Sequence, residues 1–299
     1  MGAHEQISAL ADQAAARTAL DNPSAVAELL GVLRDVGAYE QVTALADRAA
    51  ARTTLDNPSD VAGLLNMLRE VGAYERVTAL AGQAAAHTSL DSPSGVAELL
   101  NALREVGSHG QVTVLADRAA AHTSLDSPSG VAELLGALRE VGAHEQVTAL
   151  ADRAATHTPL DPPTDVAWLL NRLREVEAND QVSVLLARNP AAHTTLDDPY
   201  AVASLLEVLR ELEAHDQVTV LAGRAATHTT LNHPFAVAAL LDAFREVGAH
   251  DQVTALAERL PAAQRFLQFM TVDGNSVQFK FGREPNGSAA AFWAWDDLE

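Results

Sequence analysis

Two columns of histidine are the first residues of this sequence whose spacing could do chemistry. His87, His122, His157, His193 and His228 form one column, with Arg17 and Arg52 in the same slot earlier; His4, His109, His144, His215 and His250 form another. Imidazoles ligate metals and move protons. A shared ion, however, needs nitrogens about 2 Å from it. Successive members of a column stand about 35 residues apart, each in its own structural unit, and packed helices lie roughly 8 to 10 Å from one another. The two columns also fall at opposite ends of one expected helix, so they cannot combine. Arg and Tyr replace His freely in them, as suits polar residues at helix ends. No metal or cofactor is expected. Protonation of all 11 His would instead take the formal charge from −20 to about −9, easing self-repulsion near pH 6.

The second set is a ladder of arginines, Arg34, Arg69, Arg104, Arg139, Arg174, Arg210 and Arg245, each followed by an acid: Asp35, then Glu70, Glu105, Glu140, Glu175, Glu211 and Glu246. Guanidinium groups recognise carboxylates and phosphates in a fork geometry, so such a ladder could hold an acidic peptide or phosphate groups. It is also what helix C-termini favour, with each Arg paired to a carboxylate of an adjacent unit, and that reading comes first. A more variable column runs Gly31, Asn66, Asn101, Gly136, Asn171, Glu207 and Asp242. Small and amide side chains admit an extended peptide backbone and hydrogen-bond it, and they also suit an idle solvated face.

Catalytic motifs do not stand out. The sequence has no phosphate-cradling glycine loop, no His-Glu-x-x-His and no Gly-x-Ser-x-Gly elbow. Cys is absent, which removes disulfides, thiol nucleophiles and thiolate metal sites. Acids are plentiful but come in copies, and a unique active site would show as a break in the pattern. The breaks are Trp168, Glu177, Asn189-Pro190, Tyr200, His233 and Phe235, an irregular and more aromatic patch where a partner could dock or where the array drifts toward its end. The chain is read as not an enzyme.

The elements that position these columns follow from a 35-residue period: Tyr74 to Ser108 aligns with His109 to Ala143 at 27 of 35 identical positions. Units start near 4, 39, 74, 109, 144, 179 and 215, with a partial one at 250; the sixth has 36 residues because Asn189-Pro190 interrupts it. A fixed period of this size predicts a stack of units rather than a globule. Val42, Leu45, Ala46 and Ala49 form the apolar stripe of a short Ala-rich helix, and Val61, Leu64, Leu65, Leu68 and Val71 that of a Pro-led helix. Asn22, Asn57, Ser92, Ser127 and Asp198, each before Pro, read as N-caps, and Gly37, Gly72, Gly107, Gly142 and Gly248 as left-handed helix ends. With 48% hydrophobic but only 4% aromatic residues, the core must be Ala, Val and Leu, which suits closely packed helices.

The run Val96 to Gly107, followed by Gln111 to Ala116 and later Leu125-Asp126-Ser127-Pro128, resembles the tetratricopeptide and pentatricopeptide superfamily of helical hairpins, a likeness covering residues 4–260. It departs where aliphatic residues such as Val96 and Leu103 replace the usual Trp and Tyr, and where Pro comes late. The chain also resembles uncharacterised tandem-repeat proteins of GC-rich bacteria, in keeping with 19 Arg against one Lys, a likeness that implies no activity. The superfamily resemblance implies an all-α, right-handed α-solenoid of about seven hairpins. It further implies that the Pro-led helices line a concave face at Ala27, Gly31, Arg34 and their equivalents, a partner-binding set of Arg34, Asn66, Arg69, Asn101, Arg104, Arg139, Asn171, Arg174, Arg210 and Arg245. Pentatricopeptide relatives bind RNA with basic surfaces, whereas a net charge of −20 speaks against nucleic acid and anionic membrane here.

The ends differ from the array. The N-terminal unit opens on an Ala-rich helix with no Pro-led partner before it, which implies a shortened array or a self-association surface. Residues 261–299 hold seven of the 13 aromatics. There Val277, Phe279 and Phe281 alternate with polar residues, Pro285-Asn286-Gly287 signals a turn, and Ala291 to Trp295 could return, so a β-hairpin cap near 276–295 is expected, with an acidic tail after it. Such a cap would cover the last hairpin or serve as a docking module. With neither signal peptide nor spanning run, the chain is expected to be soluble and cytoplasmic. The reading overall is a non-enzymatic protein or peptide interaction scaffold. The alternatives are a sensor array cut from a larger multidomain protein and a solenoid assembled through its ends.

Overall fold

The computed structural model describes residues 3–272 and 274–292. Two helix types alternate along the chain. Ala-rich helices are α1 (Ala3–Arg17), α3 (Tyr39–Arg52), α5 (Tyr74–His87), α7 (His109–His122), α9 (His144–His157), α14 (His215–His228) and α16 (His250–Arg259). Pro-led helices are α2 (Pro23–Asp35), α4 (Pro58–Glu70), α6 (Pro93–Glu105), α8 (Pro128–Glu140), α10 (Pro163–Glu175), α13 (Pro199–Glu211) and α15 (Pro234–Glu246). In the sixth repeat the Ala-rich helix is split into α11 (Asn179–Ala187) and α12 (Pro190–His193). Within each unit the Pro-led helices pack on the Ala-rich helix that follows, as α4 on α5 and α13 on α14, and like helices pack on one another, as α4 on α6 and α14 on α16, the pattern of an all-α solenoid. The array of hairpins is compatible with a tetratricopeptide-like repeat fold. By contact the chain forms two compact units, Met1–Pro159 with Asn171–Val184, and Leu160–Leu170 with Leu185–Glu299.

Local chemistry sets the helix ends. The side chains of Asn22, Asn57, Ser92, Ser127 and Asp198 each accept a hydrogen bond from a first-turn amide, and the Pro that follows fills a position with no amide to satisfy. At the other end Gly72, at φ +77°, donates its amide to the Arg69 carbonyl, and Ala73 donates to that of Leu68. Two repeats place Glu in that left-handed position, Glu177 at φ 62° and Glu213 at φ 55°. A side chain there crowds the backbone, so Glu177→Gly is expected to raise stability by about 0.5–1 kcal/mol, read from the denaturant midpoint at unchanged slope.

Stripes predicted from periodicity are buried except at the helix end, where Val71 is half-buried. α3 buries Val42, Leu45, Ala46 and Ala49, and α4 buries Val61, Leu64, Leu65 and Leu68. Small Ala side chains let the Ala-rich helices approach, while Leu fills the space between Pro-led helices. Among the described residues the buried polar side chains are a column of threonines just after the Ala-rich helices. Thr88, Thr123 and Thr229 donate to the carbonyls of Leu55, Leu90 and Leu196 in the preceding repeat, at 3.0, 3.0 and 2.9 Å.

The C-terminal region corrects the expected β-hairpin. Residues of the proposed first strand form a short helix, α18 (Asn275–Gln278), preceded by α17 (Phe266–Met270), and the only β pairing among the described residues is an isolated bridge between Arg283 and Ala289. Three alternating residues also fit one helical turn, and here burial decided: Phe279 turns in against Phe269, centroids 4.8 Å apart, with the Arg283 guanidinium 5.4 Å above the Phe269 ring. The expected turn does form, with Gly287 at φ 90° and its amide donating to the Glu284 carbonyl. Trp293, Trp295 and the acidic tail lie outside the described residues.

Candidate functional site

The arginine ladder is largely engaged with the array itself. Arg34 donates to Glu70 at 2.7 Å and to Asp35 at 3.1 Å, and these bonds hold its guanidinium above the usual value. Arg69 and Arg104 stand 3.5 Å from Glu105 and Glu140. Arg139 donates to the Glu175 carbonyl at 2.6 Å, Arg174 to Asn171 at 3.2 Å, and Arg245 to Asp242 at 2.6 Å. Each of the first four reaches the C-terminal turn of the next Pro-led helix, where cation meets both carboxylate and helix dipole. Arg210 is the exception: it is exposed and makes no ion pair among the described residues.

The variable column is half covered. Met67 lies against Gly31, and Arg172 crosses Gly136 and pairs with Glu175 at 2.7 Å. The amide oxygens of Asn66 and Asn101 are shielded and accept no hydrogen bond. The Ala27 column expected to face a partner is mostly interior, with Ala62, Ala97, Ala132 and Ala167 buried. The more accessible stripe is displaced by about one residue, to positions 2, 6, 9 and 13 of the Pro-led helices, which are exposed or half-buried except at the buried Gly136 of α8. In α6 Glu98 and Glu105 are exposed and Ser94 and Asn101 half-buried.

On that stripe the second unit carries its breaks in pattern. Tyr200 and Phe235 occupy position 2 of α13 and α15, and Trp168 position 6 of α10, with 63%, 91% and 55% of their surfaces exposed. Equivalent positions elsewhere hold Ser, Thr, Glu, Gly or Ala. α13 and α15 pack directly. Where the same joint recurs between α4 and α6, a side chain at Gly95 would touch Ser59 Oγ at 2.9 Å, so position 2 of one helix abuts position 3 of the next. The chain matches no protein-family model and no curated protein.

One structural column was missed in the sequence. Arg118 in α7 donates to the carbonyls of Ala85 and Thr88, at 2.7 and 3.0 Å, and Arg153 in α9 to those of Ala120 and Thr123, at 2.7 and 2.9 Å. Arg224 and Arg259 repeat the pattern on Ala191 and Thr194 and on Ala226 and Thr229. Each guanidinium caps the end of the preceding Ala-rich helix, where carbonyls lack helical partners. Burial lowers the Arg259 guanidinium from its usual value. The signal was there, a charged residue recurring beside buried alanines in an otherwise small-residue helix. In α5 the slot holds Gln83, and there Arg76 pairs with Asp47 across the same joint. Gln83→Arg is expected to add the clamp and raise stability by about 1 kcal/mol in denaturant unfolding.

Histidines fall where expected, at the two ends of helices such as α7, which begins at His109 and ends at His122. Among the described residues no group of three or more His, Cys, Asp or Glu could hold a metal, and no helix is long and apolar enough to cross a membrane. A cavity of about 500 Å³ beside the C-terminal region is lined by Glu258, Phe266 and Arg283, and a groove of about 510 Å³ between α7 and α9 has an alanine floor walled by Asp117, Glu145 and Asp152.

Proposed function

We propose that this chain is a non-enzymatic interaction scaffold of the tetratricopeptide-like class, acting in the cytoplasm and binding a protein or peptide along the exposed stripe of its Pro-led helices. The observation that carries this reading is the exposure of Trp168, Tyr200 and Phe235 on one stripe of the second unit. Large aromatics in water forgo burial, and Trp and Tyr are the residues that most often dominate interfaces. The arginine ladder plays a lesser part in this reading, because most of its members already bond to the array. A net charge of −20 favours protein partners over nucleic acid. Panning a random peptide library against the full chain tests it. A consensus should emerge whose affinity falls at least tenfold on the W168A/Y200A/F235A variant; no enrichment, or binding indifferent to that variant, would sink the reading.

A further inference from the structure

The stripe differs between the two units in a way that specifies the partner's charge. In the first unit position 2 is always Ser, and position 6 holds Glu28, Glu98 and Glu133, with Gly63 in α4, so acids stand there without aromatics. Its C-terminal acids Glu70, Glu105 and Glu140 are occupied by arginines of the preceding helix. In the second unit the aromatics take positions 2 and 6. Glu207 and Glu246 are exposed on the same stripe and make no ion pair among the described residues. By the repeat pattern Arg210 would neutralise Glu246, yet no ion pair joins them, and Asp242 is shared with Arg245 at 2.6 Å.

Resting on the scaffold reading, we infer that the second unit's stripe takes a cationic peptide segment, with Arg or Lys side chains over Trp168, Tyr200 and Phe235 and their neighbours paired to Glu207 and Glu246. Aromatic faces attract guanidinium and ammonium groups, more so when water is excluded. Tyr200 and Glu207 are seven residues apart on α13, two helical turns or roughly 10 Å on one face. An extended peptide advances about 3.3 Å per residue, so basic residues two to four positions apart reach both kinds of group. Neither the carboxylates nor the rings alone would select such a ligand; their alternation on one stripe does.

Fluorescence anisotropy on the full chain tests this with three labelled decapeptides, built from five Arg-Gly, five Gln-Gly or five Glu-Gly dipeptides. The Arg peptide should bind at least tenfold tighter than the Gln peptide. W168A/Y200A/F235A, which leaves the charge unchanged, should lose about tenfold, and E207Q/E246Q about threefold or more. E98Q/E133Q in the first unit should change nothing, and R210A should tighten binding about twofold. All replaced side chains are exposed, and matching thermal unfolding verifies that the variants fold. An Arg peptide no tighter than the Gln peptide overturns the inference, as does full binding to the aromatic triple variant, which would show attraction to net charge alone. If panned peptides without basic residues still depend on the three aromatics, the scaffold reading stands and the cationic partner falls. If no peptide binds, both fall.

Discussion

Arg153→Ala is expected to destabilise the first unit by about 2–4 kcal/mol. Two hydrogen bonds to backbone carbonyls disappear, each worth about 1–2 kcal/mol net in this partly buried joint, and the Ala120 and Thr123 carbonyls are left short of donors. A stacked array need not unfold in one step, so the loss should be read locally. Hydrogen exchange at the end of α7, around Ala119 to Thr123, should quicken by one to three orders of magnitude while α2 and α4 keep their protection. Arg153→Lys should recover part of the loss, because an ammonium reaches one carbonyl but lacks the fork that spans two. A change below about 1 kcal/mol would show that water satisfies these carbonyls as well as the guanidinium does.

Phe244→Ala should cost about 3–5 kcal/mol, the range for truncating an aromatic with no exposed surface. Its column holds Leu33, Leu68, Leu103, Leu138, Leu173 and Leu209 in the other repeats, so the backbone at this rung accepts Leu. Phe244→Leu should therefore cost under about 1.5 kcal/mol. Both values come from urea unfolding of the full chain. Equal losses for Ala and Leu would mean that the aromatic ring itself, rather than filled volume, secures the packing of α15 with α16 and α17.

The repeat and its helix ends were legible because their determinants are local. An Asn or Ser before Pro and a Gly one helix length later act within a few residues, and the periodicity of Val61, Leu64, Leu65 and Leu68 reports directly on burial. The Arg153 clamp was not read because its acceptors are backbone carbonyls 30 and 33 residues upstream, and any residue type supplies a carbonyl. The exposed stripe was displaced from expectation for a related reason. Whether Ala97 faces out or in depends on the rotation of each helix against its like neighbour, which an Ala-tolerant pattern does not fix. At the C-terminus Val277, Phe279 and Phe281 lacked a repeat to check them against, and three residues cannot separate a period of 2 from one of 3.6. The aromatic patch was visible as a set of irregularities; its exposure was not, since Trp, Tyr and Phe are core residues as often as surface ones.

The side-chain bonds that staple one repeat to the next join residues close in sequence, from Gln217 and Ala191 across 26 positions to Arg34 and Glu70 across 36. Such a chain carries its tertiary memory in short loops. Held in an optical trap and pulled from its ends, each unit should peel away one hairpin at a time, in a sawtooth of small, near-equal extensions. On relaxation it should zip back from whichever neighbouring pair re-forms first, without waiting for its termini to meet.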